Sequence, residues 1–153
     1  MEIDYKKILE LIPQQKPFRF VDEILNITDK SAHARYTFKH DEFFYEGHFP
    51  GNPITPGVIL IETAAQAGTI PLGLYLLMAS GKNEDEVKSY LTLFSECKHA
   101  EFLKPVLPGK IVDIKSDLIV WKRGKLETKT TMYVDEQEVA NMIISGYMVK
   151  KWE

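Results

Sequence analysis

Hydrophobic and polar positions change period several times along the chain, and each change marks an element. From Asp4 to Ile12, the residues Tyr5, Ile8, Leu11 and Ile12 recur at helical spacing, and Pro13 stops the run. Phe18 to Ile27 is rich in Phe, Val and Ile and predicts a strand. Between Ser31 and Lys39 the alternation is clean: Ala32, Ala34, Tyr36 and Phe38 face one way, His33, Arg35, Thr37 and Lys39 the other. This predicts a half-buried antiparallel strand, paired with the preceding one across Thr28-Asp29-Lys30. Asp41 to Pro56 loses all period, with three prolines, two glycines and the aromatics Phe43, Phe44, Tyr45 and Phe49, so an apolar but irregular loop is expected. Gly57 to Met78 is then apolar on nearly every side, which predicts a helix in the centre of the fold. Its alanines and Gly68 allow close approach of neighbouring backbone, and Pro71 is expected to break or kink it. Ser80 to Lys88 is polar and reads as a loop or a short helical turn. Strand-like runs follow at Tyr90–Phe102, Ile111–Trp121, Leu126–Val134 and Val139–Val149, the last three joined by short polar turns as a meander. One long buried helix with five or six antiparallel strands is an α+β layer arrangement.

Composition narrows the class of function without choosing one. The 153 residues fit a single domain, 1–153, with 44% apolar and 27% charged positions, which is ordinary globular usage. Nineteen basic against 22 acidic residues give a net charge of −3. That balance, with no phosphate-binding glycine loop and no aromatic-basic interleaving, argues against nucleic acid as a partner. The lone Cys97 permits neither an internal disulfide nor a thiolate metal cluster, and His33, His40 and His99 stand apart from carboxylate clusters, so no metal site is expected. No run of about 18 apolar residues and no signal-type N-terminus is present, so a soluble, cytoplasmic protein with no membrane span is expected.

The chemistry is concentrated in the irregular loop and the helix after it. His48 sits among turn residues in Gly47-His48-Phe49-Pro50-Gly51-Asn52-Pro53-Ile54-Thr55-Pro56-Gly57, and Glu62 and Gln66 follow on one face of the helix at i and i+4. A carboxylate inside so apolar a run must be hydrogen-bonded, paired or shifted toward its neutral form. It either caps a backbone group or meets a buried cation, or it serves as a general acid with a raised pKa. A loop histidine alone is most often structural. The combination with a helix N-terminus at Pro56-Gly57, whose free N–H groups can polarise a carbonyl oxygen, and with a buried Glu points to acid–base chemistry.

His48 to Val58, followed by Glu62-Thr63-Ala64-Ala65-Gln66-Ala67-Gly68, closely resembles the signature of the FabZ-type 3-hydroxyacyl-(acyl carrier protein) dehydratases. Further resemblances lie at Ile12-Pro13 with Pro17-Phe18 and Val21-Asp22, at Phe43-Phe44 through Gly47, at Ala100-Glu101-Phe102 with Lys104 to Gly109, and at Lys122-Arg123-Gly124. Where that family commonly has a histidine-arginine pair between two prolines, this chain reads Gln14-Gln15-Lys16, and Thr55 stands where methionine is frequent. The resemblance implies a hot-dog fold, a long central helix wrapped by a curved antiparallel sheet. It also implies a homodimer whose sites take the histidine from one subunit and the carboxylate from the other, with a trimer of dimers as the higher assembly.

The resemblance further implies dehydration of a 3-hydroxyacyl thioester on acyl carrier protein to the trans-2-enoyl thioester in fatty-acid-type biosynthesis. His48 would remove the C2 proton, protonated Glu62 would hand its proton to the departing 3-hydroxyl, and the Gly57 N–H would steady the enolate oxygen. Gln66 would orient Glu62 or a water, and Phe49, Pro56 and Val58 would complete the substrate-binding loop. No metal or organic cofactor is needed. Phe44, Phe49, Ile54 and Ile59 are candidate acyl-tunnel residues, and Glu rather than Asp at position 62 points to dehydration without isomerisation. The acidic carrier would dock on basic residues, drawn from Lys16, Arg19, Lys98, Lys104, Lys122, Arg123 and Lys125. Two competing readings are a hot-dog acyl thioesterase and a non-catalytic acyl-binding module of the same fold.

Overall fold

The computed structural model describes residues 2–152. Helix α1 (Tyr5–Leu11) is capped by the Asp4 side chain, which accepts from the Lys6 N–H. Six strands follow in one antiparallel sheet: β1 (Glu23–Ile27), β2 (Ser31–Thr37), β3 (Tyr90–Phe102), β4 (Ile111–Lys122), β5 (Lys125–Val134) and β6 (Gln137–Lys150). Their spatial order is β1-β2-β4-β5-β6-β3, so the meander β4–β6 forms the middle and β3 is an outer edge. The two meander turns carry Arg123-Gly124 and Asp135-Glu136 at positive φ, the geometry that closes a two-residue hairpin in step with strand twist. Ala32, Ala34, Tyr36 and Phe38 are all buried, as their alternation predicts.

The central helix consists of α2 (Gly57–Ala64), a π-turn (Ala65–Thr69) and α3 (Ile70–Ala79). Pro71, expected to break the run, lies in the first turn of α3 and the helix continues through it. The wide turn just before supplies the irregularity, because the Ile70 N–H reaches the Ala65 carbonyl five residues back. That π-turn packs against β2, β4, β5 and β6. Gly68 faces the sheet so closely that a Cβ there would stand 2.0 Å from Ser116 Oγ. Below it Ser116 and Thr130 share a hydroxyl hydrogen bond of 2.5 Å, and Thr69 and Thr128 one of 2.9 Å. At 23 residues and mean hydropathy 1.3, Gly57–Ala79 is long and apolar enough to cross a bilayer, contrary to the expectation from composition; 78% of its most apolar window is buried in this protein's own core.

Two expectations change. The strand foreseen from Phe18 begins only at Glu23, because the Phe18–Phe20 backbone bonds to the Gln66 side chain instead of a strand. The polar stretch after the central helix contains a short helix, α4 (Glu84–Lys88), whose Asn83 and Glu86 form a reciprocal capping box.

Candidate active site

His48 is held by a loop whose backbone groups satisfy one another. Its N–H reaches the Phe44 carbonyl (3.1 Å), its carbonyl accepts from the Ile54 N–H (2.9 Å), and Phe49 and Asn52 exchange two hydrogen bonds across Gly51, at φ +71°. Gly51 is required there because a side chain disfavours that conformation. Tyr45 Oη and Thr55 Oγ1 lie 2.7 Å apart, and the Thr55 N–H reaches the Val106 carbonyl, which fastens the loop to the segment after β3. The His48 Nδ1 lies 2.8 Å from the Ile54 carbonyl oxygen. A carbonyl only accepts, so Nδ1 carries the proton and neutral His48 presents an unprotonated Nε2, the form a general base needs. The ring stacks on Phe49 at 4.1 Å.

Pro56 ends this loop as the cap of α2, its carbonyl taking the Ile59 and Leu60 N–H groups. The Gly57 N–H, one residue into the helix, makes no hydrogen bond among the described residues and is a free donor at the positive end of the dipole. The Phe102 ring lies over it, so close that a Cβ at position 57 would stand 3.1–3.3 Å from three ring atoms. His48, Gly57, Phe102, Leu103 and Val106 border a cavity of about 430 Å3. Ile54 joins that wall, whereas Phe44 and Ile59 pack into the core and Phe49 and Val58 are exposed outside it.

Glu62 lies one to two turns further along α2. Burial pushes its carboxyl above the ordinary range, and the hydrogen bond from Gln66 offsets this only in part. Gln66 is fully buried, and its amide joins three elements: Nε2 donates to Glu62 Oε1 (2.8 Å) and to the Phe18 carbonyl (3.0 Å), while Oε1 accepts from the Phe20 N–H (2.7 Å). Among the described residues, Glu62 thus has an amide partner and no cation beside it. Glu62 borders a second cavity, of about 100 Å3, which shares no lining residue with the one beside His48. Within one chain, His48 and Glu62 are therefore not brought together.

Other residues singled out in the sequence find different places. Arg19 is committed to the fold, since its guanidinium donates to the carbonyls of Leu9, Ile12 and Gln14 at the end of α1, and it is withdrawn from the basic residues available for docking. Lys104 bonds Gln137, and Lys122, Arg123 and Lys125 surround the β4–β5 turn. His33 is half-buried rather than a surface group, 2.8 Å from Asp113, which also accepts from Arg35 Nε. Phe102, Gln14 and Thr92 border the two cavities without a site role having been foreseen; Phe102 stands in a family-like segment, Gln14 in the stretch that departs from the family's histidine-arginine pair, and Thr92 carries no local signal.

Comparison with known proteins shows the family and the fold. A family model described as a FabA-like domain matches residues 12–143. A protein of Chlamydia trachomatis serovar L2 named 3-hydroxyacyl-[acyl-carrier-protein] dehydratase FabZ is 36% identical over 148 residues, 94% of this chain and 91% of that protein. The protein of the same name from Campylobacter fetus is 31% identical over 150 residues, 97% of this chain and 99% of its own length. Among solved structures, the dehydratase heterocomplex ApeI:P from Xenorhabdus doucetiae superposes with TM-score 0.77 at 15% identity, covering 99% of this chain and 94% of that one. A hypothetical thioesterase with coenzyme A from Streptococcus pneumoniae reaches 0.57 at 11% identity, over 86% of this chain and 88% of that one. At such identities the two structures speak to fold alone, whereas the matches in sequence span nearly the whole chain: it belongs to the FabA-like family as a FabZ-type dehydratase of the hot-dog fold.

Proposed function

We propose that this chain eliminates water from a 3-hydroxyacyl thioester carried on acyl carrier protein, giving the trans-2-enoyl thioester in fatty-acid-type biosynthesis. The observation that carries the reading is a complementary pair: a histidine whose Nδ1 is pinned so that Nε2 is basic, and a carboxyl that burial pushes toward its protonated form. The relatives' names, which specify this reaction for those proteins, support it. His48 Nε2 takes the C2 proton, the electron pair of that bond becomes the C2–C3 double bond, and the C3–O bond breaks as Glu62 protonates the hydroxyl. The Gly57 N–H faces the negative charge that builds on the thioester oxygen. His48 and Glu62 then exchange their gained and lost protons with solvent, so neither metal nor organic cofactor takes part.

Two chains complete one site in this reading, His48 from one and Glu62 from the other. The separation of their cavities supports it, as does β3, a 13-residue edge strand with Leu93, Phe94 and Phe102 exposed. A free edge of that length with three exposed apolar side chains is a surface for pairing with a second copy. The test follows enoyl formation and thiol release from a 3-hydroxyacyl-carrier substrate for wild type, His48→Ala, Glu62→Gln, and the two variants unfolded and refolded together. Enoyl product lost in each variant and restored to about a quarter of wild type in the mixture is expected, because half the random dimers each regain one intact site. Thiol release without enoyl product would replace the reading with a thioesterase, and no recovery on mixing would place both groups in one chain.

A further inference from the structure

The cavity beside Glu62 has walls that are mostly apolar, from Ala65, Ile70, Phe94 and Ile144, with a few polar groups converging on it. Three of those polar side chains are already satisfied. Thr69 Oγ1 pairs with Thr128 (2.9 Å), Ser145 Oγ donates to Glu127 (2.6 Å), and one Glu62 oxygen accepts from Gln66 (2.8 Å). Two are not: Gln14 Oε1 and Thr92 Oγ1 are buried with no hydrogen-bond partner among the described residues. These are the only two such side-chain atoms there, and both belong to residues bordering this one cavity. Buried oxygens without partners are costly, so their pairing around a single space identifies what the space is shaped to take.

An alkyl chain would leave both oxygens unpaired. Gln14 Oε1 only accepts, so the occupant must bring an O–H or N–H donor; Thr92 Oγ1 both donates and accepts, so the occupant can also offer a lone pair. A volume of about 100 Å3 admits a few water molecules at about 30 Å3 each. We propose that Gln14 and Thr92, with Glu62, form the site that receives the water eliminated in the reaction and supplies it in the reverse hydration. This rests on the reading of the reaction given above. As the C3–O bond breaks, the leaving oxygen takes the Glu62 proton and becomes water. That water donates one hydrogen bond to Gln14 Oε1 and the other to the newly ionised Glu62 carboxylate, and it accepts one from the Thr92 O–H. Three hydrogen bonds, with apolar walls on the remaining sides, are the usual surroundings of a buried water. The site strengthens as the reaction proceeds, because the hydroxyl gains its second donor hydrogen and Glu62 its charge only on elimination.

Steady-state kinetics of the full-length protein in both directions test this, with Gln14→Leu, Thr92→Val and Thr92→Ser beside wild type. Thermal melts of each variant establish that it is folded. The expected result is a kcat lower by about five- to tenfold in Gln14→Leu and in Thr92→Val, the loss of about one hydrogen bond, with KM for the acyl-carrier substrate unchanged. Thr92→Ser, which keeps the hydroxyl, should retain most of the activity. Unchanged kcat in both apolar variants overturns the proposal. So does a lower KM, or a preference shifted to longer acyl chains at unchanged kcat, since the cavity would then hold the acyl group. Wild-type protein that forms no enoyl product overturns the reaction itself, and is distinguished by failing before any variant is compared.

Discussion

Gln66→Leu tests how far the fold and the site depend on one side chain. Leucine nearly matches the volume and fits an apolar surrounding, so the substitution removes hydrogen bonds with little change in packing. Gln66 is completely buried and makes three of them. The Phe20 N–H, in a buried residue, loses its acceptor and no strand lies beside it, which costs about 2 kcal/mol for a stranded donor. The bonds to the Phe18 carbonyl and to Glu62 are worth about 1 kcal/mol each. Burying leucine in place of an amide returns about 1 kcal/mol, so the net loss is about 3 kcal/mol. For a chain of this size that lowers Tm by about 6–12 °C. Urea unfolding followed by far-UV circular dichroism, at one fixed protomer concentration, should show a lower midpoint with an unchanged slope. The same variant removes the one interaction that lowers the Glu62 pKa, so its carboxyl should titrate higher still, read by carbon NMR against Glu62→Ala. A stability change below about 1 kcal/mol with Glu62 unmoved would refute the reasoning, because it would mean that Phe18–Phe20 finds other partners at no cost.

Glu62→Gln should alter how stability depends on pH. Native Glu62 holds its proton more tightly than an unfolded chain does, so wild-type stability falls as pH rises from the ordinary carboxyl value through the raised native one; the variant should lack that decline, in urea titrations across that window. Gly68→Ala places a methyl 2.0 Å from Ser116 Oγ and should destabilise by about 2–3 kcal/mol, with Ser116→Ala in the same chain recovering more than half; additive losses would show that the contact is not the cause. Burial acts to raise the Asp113 carboxyl, but hydrogen bonds from His33 and Arg35 outweigh it and hold the group below its ordinary value. Its contribution is therefore present above the unfolded carboxyl pKa and lost as pH falls through the native one. Asp113→Asn should cost at most about 1 kcal/mol at pH 7 in so solvent-screened a pair, and progressively less as pH falls through the native carboxyl value; a loss undiminished in acid would assign it to packing.

What was legible in the sequence is what local periodicity encodes. Ala32, Ala34, Tyr36 and Phe38 announce their strand because each touches the core at every second residue, and the turns at Arg123-Gly124 and Asp135-Glu136 announce themselves by composition. Phe18 to Asp22 misleads because its residues are strand-like while the backbone donor of Phe20 is taken by a side chain 46 positions away. Pro71 misleads in the opposite sense: a proline inside an apolar helix signals a break, yet it lies in the first turn of α3 behind a π-turn that no local pattern marks. The candidate site divides along the same line. His48, Glu62 and Gln66 are readable because a polar group in an apolar or rigid setting is costly and so requires a reason. Gln14 shows in sequence only as part of a departure from the family pattern and Thr92 not at all; what sets them apart is that the chain brings α1's exit and an edge strand to the same side of Glu62. The proposed meeting of His48 with a carboxylate is further removed still. No spacing within the chain can express it if a second copy's Glu62 completes the site, and the traces in a single copy are two cavities with no residue in common and the exposed edge of β3. Side chains whose role is fixed by their own burial can thus be found from sequence, whereas those whose role is fixed by a neighbour distant in sequence, or in another copy, require the fold.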